Sequence, residues 1–90
     1  MYFIYIIESK KDGRYYVGQT ERLDERIKRH NEGRNLSTKA YIPWALKWWK
    51  GFDTRSEAIK IESKIKRIKK RTGIEKYVKE EVFRGVAQPG

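Results

Sequence analysis

Residues 2–8 read Tyr-Phe-Ile-Tyr-Ile-Ile-Glu, a β-branched and aromatic run with no helical period. A run that is apolar at both odd and even positions is a strand buried on both faces. Lys10-Lys11-Asp12-Gly13 follows it. Asp-Gly is a strong hairpin signal, because glycine takes the positive φ of a tight turn without steric cost. Residues 14–19 (RYYVGQ) then form a second strand, antiparallel to the first. Gly18 inside that strand marks either the close approach of another group to the backbone or a bulge at the strand end.

The rest of the chain has to cover this hairpin. Thr20 is positioned to cap a helix over residues 21–31, and Gly33 ends it. The apolar stripe of that helix is thin: Leu23, Ile27 and then His30. At 3.6 residues per turn, Arg26 falls about 60° from Leu23 and His30 about 20° from it. Both therefore border the buried seam, where a cleft meets the core. Arg22 and Arg29 continue a basic flank outward. Residues 34–43 (RNLSTKAYIP) make a polar, basic loop of a length that is often functional.

Residues 45–52 (ALKWWKGF) read as a third strand. Trp44, Trp48 and Trp49 serve core and sheet packing there, or one ring faces a nucleic-acid base. Thr54-Arg55-Ser56-Glu57 is a capping box that opens the longest helix, over residues 55–72. Ala58, Ile61, Ile65 and Ile68 form its buried stripe, and Gly73 stops it. Residues 75–82 make a short last helix that packs Tyr77, Val78 and Val82. The expected organisation is one domain over residues 1–83 and a loosely attached tail over 84–90. The expected fold class is α/β (α+β), a three-stranded, mainly antiparallel sheet flanked by helices. Both long helices are expected on one face of it.

Charge narrows the partners. Lys and Arg number 22 against 12 Asp and Glu, a formal net charge of +10 on 90 residues. On so short a chain that excess points to DNA or another polyanion, RNA included, since phosphate neutralisation releases counterions. No cysteine is present, which excludes a disulfide framework, a thiolate metal site and a cysteine nucleophile. No apolar run approaches the ~20 residues that span a bilayer. The chain reads as cytoplasmic, with no membrane partner; its oligomeric state is not legible.

Within this frame Tyr5, Tyr16, Arg26, His30 and Glu62 supply the parts for cutting a phosphodiester. A phenol can hold or deprotonate a water, an arginine can neutralise phosphate, and a carboxylate can anchor a divalent metal. Glu62 is the only acid between Ala58 and Gly73, at the edge of the apolar stripe. It is either a helical partner of Lys66 or a ligand of Mg²⁺, which prefers oxygen and keeps several waters. A free phenol has a pKa of about 10. Arg26, nearby lysines and a metal ion are expected to lower it toward a usable base. On residues alone, the favoured reading of Tyr5 and Tyr16 is core aromatics with their hydroxyls at the surface.

At this order and spacing the chain resembles the GIY-YIG nuclease family over residues 3–80. Phe3-Ile4-Tyr5 stands where the family has G-I-Y, and Tyr16-Val17-Gly18 where it has Y-I-G. Arg26 and His30 match the family's arginine and His-or-Tyr positions, and Glu62 opens an E-x-x-x-K stretch ending at Lys66. The likeness extends to the N-terminal nuclease domain of the nucleotide-excision-repair incision subunit. Two departures stand out: Phe3 replaces the first glycine, and residues 63–90 contain no asparagine where some members use one. The resemblance implies a metal-dependent endonuclease acting on DNA in repair or recombination. Glu62 would hold Mg²⁺ or Mn²⁺, Tyr5 or Tyr16 would activate water, His30 would aid proton transfer and Arg26 would stabilise the phosphate charge. Gln19, Arg22, Arg29, Lys39 and Lys66 are candidates for nucleic-acid contact. The alternative is a non-catalytic nucleic-acid-binding module of the same fold.

Overall fold

The computed structural model describes residues 1–83, so the expected tail lies outside the described residues. β1 (Tyr2–Ser9) pairs antiparallel with β2 (Tyr15–Thr20) on one side and with β3 (Trp44–Phe52) on the other, giving the order β2-β1-β3. The hairpin signal holds: Gly13 takes φ 78° in the turn. The strand and helix bounds otherwise agree with the sequence reading to within a residue or two, with the exceptions below.

β1 is apolar on both faces because each face has its own core. Ile4 and Ile6 pack with Val17, Trp48, Ala58, Ile65 and Ile74. Tyr5 and Ile7, one step out of phase, pack with Trp44, Tyr16, Leu23 and Ile27. Successive strand side chains point to opposite faces. It follows that α1 (Leu23–Asn31) covers one face and α2 (Arg55–Ile68) the other. The expectation of two helices on one face is therefore wrong. A strand apolar at both odd and even positions needs cover on each face, and the two separate cores supply it.

The phase of β3 changes midway. Ile6 pairs with Trp48 but Ile7 pairs with Leu46, so Lys47 is an extra residue in the register. Trp44 and Trp48 are four apart and would share a face in a regular strand. The bulge sends Trp48 to the α2 side and Trp44 to the α1 side. Both are 5% exposed, and Trp49 packs edge-on against Phe3. The tryptophans therefore serve the core and the sheet.

Helix ends show which local signals hold. Thr54 caps α2 by accepting a hydrogen bond from Glu57 N, the first half of the capping box, and its hydroxyl donates to Glu57 Oε1 in place of the backbone bond that completes the box. Gly33 takes φ 77° after α1, with Gly33 N donating to His30 O and Arg34 N to Arg29 O. That double bond pattern is a Schellman stop. Thr20, by contrast, does not cap α1. It is the last residue of β2, and its hydroxyl accepts from Arg22 N and donates to Arg22 O, a local turn before the helix begins at Leu23.

Gly73 does not stop α2 either. Lys69 does so, in the left-handed region at φ 63°, and Gly73 lies inside α3 (Arg71–Phe83), which is longer than expected. A Cβ at position 73 would collide with Ile68 Cγ2, so this glycine lets the first turn of α3 sit against the end of α2. Tyr77 and Val78 pack on the core as expected, while Val82 lies outside the residues whose side chains are described. Among the described residues no helix is long and apolar enough to cross a membrane.

The loop over 34–43 is built rather than featureless. It contains a 3-10 turn at Lys39–Tyr41 and a cis Ile42–Pro43 bond. Asn31, at the end of α1, holds Trp44 by both backbone groups: its Oδ1 accepts from Trp44 N at 2.6 Å, and its Nδ2 donates to Trp44 O at 3.0 Å. These bonds fix α1 against the start of β3.

Candidate active site

Tyr5 is paired with Gly18 across the hairpin, and its ring crosses the space a side chain at 18 would fill. A Cβ there would lie 2.9 Å from Tyr5 Cε1 and closer still to the hydroxyl. Of the two readings of Gly18, close approach is the one observed. The ring is 1% exposed, and its hydroxyl lies 2.8 Å from Nε2 of His30, which is fully buried. The expectation that His30 merely borders the seam is corrected. The hydroxyls of Tyr5 and Thr38 satisfy both ring nitrogens, so the imidazole can go inside.

His30 Nδ1 lies 2.8 Å from Thr38 Oγ1, and the Thr38 hydroxyl is 3.4 Å from Asn35 O. Thr38 can donate only once. With its proton toward Asn35, the network assigns His30 Nδ1–H as donor to Thr38 and Tyr5 O–H as donor to Nε2. The protonation tendencies agree. Burial, then the charge of Tyr16, pushes Tyr5 up to about 12, and the opposing pull of Arg26 does not win. Burial, then the Arg26 charge, holds His30 below its ordinary 6.5. The expected lowering of the Tyr5 phenol is thus overturned: desolvation outweighs the nearby cation. Tyr16 completes the cluster, with its ring 5.1 Å from that of His30 and 6.4 Å from that of Tyr5.

A pH dependence of stability follows from His30. Unfolded, it gains a proton as the pH falls below about 6.5; folded, it resists until the pH is lower. Within that window the unfolded state binds more protons, so stability falls with falling pH. A thermal melt series from pH 7.5 to 5 will show Tm declining below about 6.5. His30→Gln will flatten that slope; an equal slope in the variant would remove His30 as its source.

Arg26 is half-buried and lines three adjoining concavities. Arg22 and Arg29 share the first with it, Arg29, His30 and Leu36 the second, and Gln19 and Arg55 the third. The Gln19 amide nitrogen is buried without a hydrogen-bond acceptor among the described residues. A buried donor without an acceptor, beside arginines, suits an anionic oxygen. Lys39 is exposed on the 3-10 turn and lines none of these concavities.

Glu62 comes from α2, on the other face of the sheet, yet its charge is among those that raise Tyr5. Tyr5 leans over Gly18 of edge strand β2. The Glu62 side chain is 20% exposed and pairs with Lys66 at 3.3 Å. Among the described residues no three His, Cys, Asp or Glu side chains form a metal cluster. One accessible carboxylate still suits a hard cation that completes its shell with water and phosphate oxygens.

Sequence reasoning missed Thr38 and Arg55. Thr38 was one of several polar residues in an irregular loop, and only its complete burial against His30 sets it apart. Arg55 sits in the capping box, and the pairing of Tyr2 with Phe52 carries it to the β1 end of the site.

Residues 1–78 match the GIY-YIG catalytic domain. The UPF0213 protein of Bacillus licheniformis is 31% identical over 86 residues, covering 94% of this chain and 87% of the relative. That of Streptococcus pneumoniae is 35% identical over 79 residues, covering 87% and 78%. That of Staphylococcus saprophyticus is 41% identical over 66 residues, covering 72% and 79%. No solved structure is significantly similar. A family match over so much of the sequence decides the relationship, and the chain belongs to the GIY-YIG catalytic-domain family.

Proposed function

We propose that this protein is a divalent-metal-dependent endonuclease that hydrolyses phosphodiester bonds in DNA, in the cytoplasm, as part of repair or recombination. The observation that carries the reading is the buried Tyr5–His30–Thr38 chain beside Arg26. A fully satisfied polar network inside so small a core costs desolvation that an apolar core would avoid. A proton path to a reacting phosphate gives it a purpose.

In this reading the Tyr5 oxygen accepts a proton from the attacking water while its own proton passes to His30 Nε2. The water oxygen bonds to phosphorus, and the leaving oxygen departs with its electron pair and is protonated by solvent. The raised pKa of Tyr5 favours this relay over a preformed phenolate. Tyr16 would hold the water or share the base role. Arg26 would neutralise charge growing on the phosphate. Glu62 would hold Mg²⁺ or Mn²⁺, which would supply Lewis-acid polarisation of the phosphate. Gln19, Arg22 and Arg29 would hold the flanking backbone, and Lys66 would balance Glu62 until a metal arrives. Lys39 is the weakest of the contact candidates.

The test is cleavage of supercoiled plasmid and a panel of branched and linear DNAs and RNAs with Mg²⁺, Mn²⁺ or EDTA. Nicking that needs the metal is the expected result. Tight binding without cutting under any metal would leave a non-catalytic binding module.

A further inference from the structure

Leu36 is 83% exposed, the most exposed large hydrophobic side chain among the described residues. A single surface leucine means nothing by itself. This one lines the same concavity as Arg26, Arg29, His30 and Arg34. Its support is rigid. Asn35 Oδ1 accepts from Ser37 N and Ser37 Oγ, and Asn35 O accepts from Thr38 N and Lys39 N. Thr38, two residues on, is fully buried against His30. Two residues span at most about 7 Å, so the Leu36 backbone lies within about two base steps of Thr38, the residue buried against His30.

We propose that Leu36 is a wedge that enters an opened base stack next to the phosphate being cut, so that the site prefers DNA whose stacking is already weakened. The inference rests on the nuclease reading and names its substrate class: duplexes with a mismatch, bulge or branch. Arg26, Arg29 and Arg34 in the same concavity would track the backbone, and an apolar side chain among them has nowhere favourable to go in a water-filled groove. Against a fully stacked duplex it is an obstruction. Against an opened step it has an apolar slot to fill, the device by which wedge side chains unstack bases. The loop cannot fold it away, because the bonds from Asn35 and the buried Thr38 hold its apex in position.

Two readouts test this. The first is the ratio of cleavage rates on a single-mismatch duplex and its fully paired counterpart. It is expected to be at least about tenfold for the natural protein, the scale set by unstacking one step. In Leu36→Ala it is expected to fall close to one. An unchanged ratio overturns the wedge. The second needs no cutting. In the Glu62→Gln background, binding will raise the fluorescence of a 2-aminopurine placed beside the mismatch, and Glu62→Gln with Leu36→Ala will not. Equal fluorescence from the two proteins at saturation also overturns it. If no DNA is cut by any protein, the nuclease reading fails while the fluorescence comparison still decides the wedge.

Discussion

Glu62→Gln will lower the cleavage rate at least about a thousandfold, because Lewis-acid stabilisation of a phosphoryl transition state is worth several kcal/mol. The amide keeps the shape of the carboxylate and removes the charge a hard cation requires. Folding will change little. The pair with Lys66 at 3.3 Å joins an exposed lysine to a partly buried carboxylate one helical turn away, and such i,i+4 pairs are worth a few tenths of a kcal/mol. DNA affinity will hold or rise slightly, since one negative charge is removed from a chain of net charge +10. Single-turnover cleavage with Mg²⁺ measures the first effect and fluorescence anisotropy with labelled duplex the second. EDTA should bring the natural protein down to the same floor. Full activity in the variant, with metal still required, would take Glu62 out of the chemistry and move the search for a ligand elsewhere.

Gly18→Ala will damage both stability and catalysis. The new methyl would overlap the Tyr5 ring near its hydroxyl, and the strand backbone on both sides is held by pairing with β1. Overpacking of this kind costs about 1–3 kcal/mol. Relief comes most easily by swinging Tyr5 away, which breaks its 2.8 Å bond to His30. A catalytic group displaced by about 1 Å can cost a hundredfold in rate. Urea denaturation and cleavage assays measure the two effects. A double-mutant cycle with Tyr5→Ala isolates the cause, because without the ring the methyl has room. The stability losses should then combine to less than their sum. Strict additivity, or a Gly18→Ala protein of natural stability, would show that the ring is not what the glycine accommodates.

The parts of the fold that were readable share one property: their signals are local. Asp12-Gly13, the Thr54 cap of α2 and Gly33 act within a few residues of themselves, and each forms where it was read. What misled was local grammar overruled by packing. Thr20 looks like a cap but is used up as the end of a strand, and Gly73 looks like a stop but is a contact surface for Ile68. The split of the two helices across the sheet was implied by Tyr2–Ile7, whose unbroken apolar run asks for cover on each face, and placing both helices on one face went against that signal. The candidate site divides in the same way. Tyr5, Arg26 and His30 could be picked from their order along the chain. The burial of His30, the part played by Thr38 and the rise of the Tyr5 pKa all depend on groups brought from elsewhere.

The extra residue at Lys47 has a consequence for how this chain can tolerate change over evolutionary time. Deleting that residue would leave Trp44 and Trp48 three apart in a regular strand, still on opposite faces. Trp44 would keep its indole N–H bond to Thr38 O and its ring contact with Tyr16. One lost codon at this exposed lysine is therefore a change the sheet can absorb. A residue lost from β1 has no such slack, because every side chain beyond it would turn to the other face. The inherited length of the sheet is fixed in one strand and negotiable in the other.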